Sequence, residues 1–173
     1  MLKNIGAAIS GPVARVLLPL YAQPLLEISK RDDFELVISV CMLCDCIKYG
    51  SDDLYNIVMG QAGQKFIEMI RMTSKKAEGP NFNIIQSCIF GLGLIAERAP
   101  NGQMPGTVLA DTVAILGPIC EKDDDMDSDE EDDDKLLMVD NAISTLNKVV
   151  CFQQGAAVPE ALTGSLLALL PLT

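Results

Sequence analysis

Apolar residues recur at intervals of three and four along most of this 173-residue chain, and strand-like alternation is scarce. Such spacing is typical of helices that bury one side against a partner. Prolines, a capping serine and glycines that follow apolar runs mark where these helices begin and end. The pattern predicts a short helix at 2–9 and then seven longer ones at 12–29, 33–49, 52–75, 80–99, 105–121, 135–153 and 159–171.

Three of these helices share one apolar register, with offsets of 48 and 54 residues between Phe34, Phe82 and Leu136. The second offset contains the acidic run at 123–134, and without most of that run the period falls to the mid-forties. Another helix precedes each of the three, so the repeating unit is two helices in about 40–47 residues, the period of HEAT and armadillo repeats. The sequence therefore predicts an all-α fold, a HEAT-repeat α-solenoid of about 3.5 antiparallel helix hairpins wound as a right-handed superhelix. The matching sets are Leu36, Ile84 and Met138; Val37, Ile85 and Val139; Val40, Cys88 and Ala142; Cys41, Ile89 and Ile143; Cys44, Leu92 and Leu146; and Ile47, Ile95 and Val149.

The second of these helices also contains a pattern found in dinucleotide-binding enzymes. Gly91, Gly93 and Ala96 fit the G-x-G-x-x-A form of a nucleotide loop, and Asp111 follows 18 residues beyond Gly93. Against this, Pro100 ends the helix about one turn after Ala96, whereas a crossover to a parallel strand needs about 10–12 residues. A dinucleotide-binding enzyme at Gly91 and Gly93 stays a remote alternative. Close approach of a neighbouring helix is the favoured explanation of both glycines.

Charge and composition argue against several functions. The net charge is −11, but residues 123–134 contain ten acids, which leaves 14 acids against 13 bases elsewhere. Because phosphates need a basic face, nucleic-acid binding is not expected. The chain has no histidine, which removes the usual general base and a common metal ligand. We therefore predict no enzyme activity, no cofactor and no catalytic or metal-binding residue. No apolar run is long enough to predict a membrane span.

The acidic run at 123–134 is predicted to be a disordered, solvated loop held open by its own repulsion. Two other interpretations stay open. One is an electrostatic contact for a basic partner, and the other is a calcium loop, although Glu130 stands where such a loop needs glycine. Ser128 precedes three acids that acid-directed kinases favour, and is a candidate phosphorylation site. The acids of the run are Asp123, Asp124, Asp125, Asp127, Asp129, Glu130, Glu131, Asp132, Asp133 and Asp134.

Six cysteines are spread along the chain, three of them as C-x2-C-x-C at Cys41, Cys44 and Cys46. A structural metal site needs four ligands, and the sequence has neither a second cysteine cluster nor a histidine. We therefore predict free and mostly buried thiols in a reducing compartment. Cys41 and Cys44 are expected to pack on one helix face as small apolar groups.

Several segments resemble a known family. LCDCIKYGS at 43–51, IIQSCIFGLGLIAERAP at 84–100 and VDNAISTLNKVVCF at 139–152 resemble consecutive B helices of the karyopherin-β nuclear transport receptors, the importin-β superfamily. The likeness is nearest to the C-terminal HEAT repeats of the importin β3 (Ran-binding protein 5) subfamily. VLLPLYAQPLLEI at 16–28 and ALTGSLLALLPLT at 161–173 resemble its A helices.

The resemblance implies a non-catalytic, protein-binding scaffold. It would be part of a nuclear import receptor that carries basic cargo, responds to Ran-GTP, contacts nucleoporins and shuttles between cytoplasm and nucleus through the nuclear pore. Because proteins of the family are much longer, residues 1–173 are expected to be one HEAT-repeat segment of a longer solenoid. The exposed terminal helices of this segment are expected to self-associate. Another α-solenoid adaptor, such as a phosphatase-type HEAT subunit, shares the fold and is the alternative.

Polar residues on the B helices are the candidates for recognition. In the resembled subfamily, asparagine and acidic residues on these helices hold extended basic cargo segments. An asparagine side chain can both donate to and accept from a peptide backbone, and a carboxylate attracts lysine. The alternative is that these are ordinary solvated positions of an amphipathic helix. The candidate protein-binding residues are Asp45, Gln86, Asp140, Asn141 and Asn147.

Overall fold

The structure is a computed structural model that describes residues 32–50, 52–77, 79–120 and 133–153. Within these ranges the chain forms five α-helices and no β-strand, which confirms the all-α class. The helices predicted at 2–9, 12–29 and 159–171, and with them the expected self-association through terminal helices, lie outside the described residues. The five helices are α1 (Asp33–Tyr49), α2 (Asp52–Thr73), α3 (Phe82–Arg98), α4 (Gly106–Cys120) and α5 (Asp133–Phe152), with a 3-10 turn at Pro100–Gly102.

Local capping explains where two of these helices begin. The backbone N–H of Glu35 donates to the side chain of Asp32 at 2.9 Å, and that of Ile84 donates to the side chain of Asn81 at 3.2 Å. Each bond satisfies one amide that the first helical turn leaves without a partner. Because Asn81 is the cap, α3 begins two residues later than predicted, and Pro80 lies before the helix.

The five helices form two rows. Helix α3 packs against α1 on one side and most extensively against α5 on the other, so α1, α3 and α5 follow one another in chain order. Helix α2 packs on α1 and α3, α4 packs on α5, and α2 also contacts α4. The apolar core therefore lies between a row of three helices and a row of two.

The shared register corresponds to equivalent buried positions along the row of three. Four of the six matching sets are buried in all three helices, with exposures of 0 to 8%. The sets that contain Cys41 and Val37 are fully buried only in α3, at Ile89 and Ile85. This difference follows from the position of α3, which has a row neighbour on each side.

Two glycines let the neighbouring helices approach α3 closely. A Cβ atom on Gly91 would lie 2.4 Å from the Phe66 ring on α2, and one on Gly93 would lie 2.6 Å from Oγ1 of Thr145 on α5. Both glycines lie inside one continuous helix, so the strand, turn and helix of a dinucleotide loop are not formed here. Close helix approach, the favoured explanation, is confirmed.

The carboxyl end of α1 is capped by an arginine from α3. Arg98 Nη1 donates to the backbone oxygens of Ile47 and Gly50, and its Nη2 lies 3.0 Å from Oδ1 of Asp52 at the start of α2. The guanidinium also lies 5.0 Å from the ring centroid of Tyr55. One side chain thereby joins α1, α2 and α3.

The carboxyl end of α3 is capped in the same way by its neighbours. Tyr55 on α2 donates its hydroxyl to the backbone oxygen of Ile95 at 3.0 Å, and burial raises the pKa of Tyr55 to about 12. Gln153 donates to the backbone oxygen of Ala96 at 2.7 Å and accepts from the amide of Met104 at 2.6 Å. Carbonyls of the last helical turn have no partner in their own helix, so these bonds complete α3.

Gly91→Ala tests the close approach. We expect the free energy of unfolding to fall by about 1–3 kcal/mol, because the new methyl group meets a buried ring that cannot move freely. Phe66→Leu in the same background should recover part of this loss, and a urea-denaturation double-mutant cycle measures the coupling. Strictly additive effects of the two substitutions would contradict the contact.

Arg98→Met tests the shared cap. It leaves two carbonyls without a donor, and we expect the free energy of unfolding in urea to fall by about 2 kcal/mol. Arg71→Met is the matched control. Its ion pair with Asp111 spans 2.6 Å, but the two side chains are 53% and 32% exposed, so a loss of roughly 0.5 kcal/mol is expected. Equal losses in the two variants would rule out a special role for Arg98.

Candidate protein-binding surface

The outward sides of α1, α3 and α5 form one surface, named here the row face and defined by Ile38, Asp45, Gln86, Phe90, Glu97 and Asp140. Ile38, Gln86 and Asp140 occupy equivalent register positions on the three helices and are all exposed or half-buried. Ile38 is 44% and Phe90 38% exposed, which is high for large apolar residues. The row face therefore presents apolar, amide and carboxylate groups side by side.

Two predicted residues, Gln86 on α3 and Asn141 on α5, meet on this surface. Asn141 Nδ2 donates to Oε1 of Gln86 at 2.7 Å and to its backbone oxygen at 3.3 Å. The pairing leaves Nε2 of Gln86 and Oδ1 of Asn141 without a hydrogen-bond partner within the described ranges. An amide nitrogen with two N–H donors and a carbonyl acceptor therefore remain, which together complement a peptide group.

An aromatic ring and an ion pair lie further along the same two helices. Lys148 Nζ on α5 is 2.9 Å from Oε2 of Glu97 and 5.8 Å from the ring centroid of Phe90, both on α3. Attraction between an ammonium group and a ring face adds to the ion pair. This contact connects the carboxyl-terminal halves of α3 and α5.

The other three predicted residues have separate surroundings. Asp140 is exposed and forms no hydrogen bond or ion pair with the part of the chain that the structure describes. Asn147 accepts a hydrogen bond from Cys151 Sγ at 3.6 Å. Asp45 is half-buried near Cys46, whose pKa is raised to about 11 by burial and, after it, by the charge of Asp45.

Sequence reasoning missed Phe90, Glu97 and Lys148. A usable signal existed for Phe90, because its register equivalents are Met42 and Ser144, outside the six matching apolar sets. A large aromatic residue at such a position predicts surface exposure. The pairing of Lys148 with Glu97 joins two helices, and periodicity within either helix cannot reveal it.

The chain matches no protein-family model, no curated protein and no solved structure. The resemblance to transport receptors therefore stays a prediction. None of the helices that the structure describes is long and apolar enough to cross a membrane.

The acidic loop ends two residues earlier than predicted. Asp133 and Asp134 were expected in the loop, but they form the first turn of α5. Carboxylates stabilise a helix N-terminus because they face its positive dipole end. Asp134 also accepts a hydrogen bond from Nδ2 of Asn83 at 2.6 Å. The remaining acids of the run and Ser128 lie outside the described residues.

The cysteines are less uniformly buried than predicted. All six are free, and Cys44, Cys88 and Cys120 are buried, but Cys41 and Cys151 are exposed. Cys41 lies beside Cys44 and close to the Ser87 side chain on α3, but it is exposed and not buried as predicted. Within the described ranges no group of three or more cysteine and carboxylate side chains has the arrangement of a metal site.

Thiol alkylation tests this distribution. Burial raises the pKa of Cys41, Cys44 and Cys88, but only Cys44 and Cys88 are also closed to solvent, so the reagent hardly meets a thiolate there near neutral pH. We expect N-ethylmaleimide to label Cys41 and Cys151 in the folded protein at least about ten times faster than the buried pair, as followed by peptide mass spectrometry. Urea-unfolded protein is the control and should label at all positions. Labelling of Cys44 as fast as Cys151 would contradict the packing.

Proposed function

We propose that the chain is a HEAT-type α-solenoid segment that binds other proteins through the row face and has no catalytic role. The observation that carries this proposal is the stacking of α1, α3 and α5 in chain order with four equivalent buried sets. Repeated units that bury their apolar sides only against neighbours are the basis of a solenoid. Right-handed winding and about 3.5 hairpins belong to the same proposal.

The paired helices support a repeating hairpin as the unit. Helix α2 packs on α3, the next helix in the chain, and α4 packs on α5 in the same way. Helix α1 would be the second helix of the preceding hairpin. A solenoid distributes its curvature over small rotations between units, so one scaffold can fit partners of different shape.

The chemistry of the row face favours a basic, extended partner. Asp45, Glu97 and Asp140 place carboxylates on it, while the Gln86–Asn141 pair offers a donor and an acceptor to a peptide backbone. A lysine-rich segment complements both features. These groups, together with the family resemblance, support a nuclear import receptor that carries basic cargo, responds to Ran-GTP, contacts nucleoporins and shuttles through the nuclear pore.

A second candidate is another α-solenoid adaptor, such as a phosphatase-type HEAT subunit. The two-row packing supports this candidate equally well, because it supports a solenoid scaffold but does not identify the partner that the scaffold binds. The acidic row face would then serve a basic partner outside nuclear transport. A response to Ran-GTP distinguishes the two candidates.

Binding of a fluorescein-labelled lysine-rich peptide to residues 1–173 tests the proposal by fluorescence anisotropy. We expect Asp140→Asn to weaken binding about three- to ten-fold, because it removes an exposed carboxylate from the row face. Glu68→Gln is the matched control. It removes an exposed carboxylate from α2, so a change below about two-fold is expected.

The same assay separates the candidates. Displacement of the peptide by Ran-GTP, and not by Ran-GDP, supports the transport receptor, whereas peptide binding without any response to Ran supports the adaptor. Absence of peptide binding, or equal effects of the Asp140 and Glu68 substitutions, would overturn the row face as a site for basic partners.

A further inference from the structure

Lys148 lies across the surface of the neighbouring helix. Its side chain runs over Gly93, where a Cβ atom would be only 3.4 Å from Cδ of the lysine. Its ammonium group ends 2.9 Å from Oε2 of Glu97 and 5.8 Å from the ring centroid of Phe90. The stem is thus held against the helix while the charge reaches a carboxylate and an aromatic face.

All the groups that receive this lysine belong to α3. Phe90, Gly93 and Glu97 are spaced three and four residues apart, so they lie on one side of the helix. The glycine leaves room for an aliphatic stem, the ring attracts a cation, and the carboxylate bonds it. Such a combination accepts a lysine or arginine side chain whether it comes from α5 or from another molecule.

We propose that Phe90, Gly93 and Glu97 form a cation seat, which Lys148 fills in the free protein and a lysine or arginine of a bound protein takes over in the complex. This inference rests on the proposed function and adds a means of regulating it. Glu97 is 45% and Phe90 38% exposed, so the charged end of the cation seat opens to solvent on the row face.

Exchange of one cation for another is feasible because the carboxylate that holds the charge is open to solvent: the Glu97 side chain is 45% exposed, whereas that of Lys148 is 24% exposed. An ion pair with such a carboxylate and a ring contact together change an equilibrium by only about ten-fold. A partner cation that competes with Lys148 therefore binds less tightly than it would to an empty seat. Lys148 lowers affinity and thereby favours partners that present several basic side chains.

Lys148→Ala tests the competition with the fluorescein-labelled lysine-rich peptide. Emptying the cation seat should raise the affinity about three- to ten-fold. Lys48→Ala is the matched control, because it removes the same charge from the exposed side of α1, and we expect it to change the affinity less than about two-fold. Equal gains in both variants, or weaker binding by the Lys148 variant, would overturn the proposal.

A second substitution tests whether the gain in peptide affinity depends on Glu97. In the double variant with Glu97→Gln the affinity should return to about that of the unsubstituted protein, because the seat has lost its carboxylate. A gain that persists in the double variant would contradict the role of Glu97. Circular dichroism of each variant checks that the helices are retained.

A small cation distinguishes failure of the cation seat from failure of the proposed function. At constant ionic strength, n-butylammonium at a concentration near its dissociation constant should raise the melting temperature of the Lys148→Ala protein by about 1 °C. The unsubstituted protein and the Glu97→Gln double variant should not respond. This stabilisation without peptide binding would support the seat and refute the proposed function. Equal responses of all three proteins would overturn the seat and leave the proposed function standing if the peptide binds.

Discussion

The packing of the described residues depends on how closely three neighbours approach α3. Gly91 leaves room for the Phe66 ring and for the thiol of Cys44, and Gly93 leaves room for Thr145 on the opposite neighbour. A side chain at either position would push a neighbour outward, which opens voids that dense protein cores do not tolerate. The central helix can therefore be buried on several sides only because two of its residues have no side chain.

Hydrogen bonds to backbone carbonyls add direction to this packing. Thr145 donates to the backbone oxygen of Ile89 at 2.9 Å, and Arg98, Tyr55 and Gln153 donate to carbonyls at helix ends. Apolar packing alone allows neighbouring helices to slide along one another, since the hydrophobic effect has no preferred direction. A donor that must meet one carbonyl favours a single register. The same bonds satisfy groups that would be costly to bury without a partner.

Helix positions were largely predictable from the sequence, but contacts between helices were not. Periodicity predicts 33–49 for α1, which agrees with the structure, because apolar spacing and the capping residue are both local signals. The start of α5 was placed two residues late because the first-turn acids were counted with the acidic run. The exposure of Cys41 and the contact of Lys148 with Glu97 depend on which neighbour stands beside each helix, and one-helix periodicity carries no information about that.

Substitutions on the outer side of α3 are expected to disturb fewer contacts than substitutions on its other sides. Its inner residues contact two rows, and its terminal carbonyls are used by Tyr55 and Gln153, so substitutions there alter several contacts together. Gln86, Phe90 and Glu97 instead interact with one neighbour each in the described residues and remain partly exposed. Recognition on the row face can therefore be adjusted with small effects on stability. Lys148 contributes to both stability and recognition, because its side chain joins α3 to α5 and also occupies the place proposed for a partner cation.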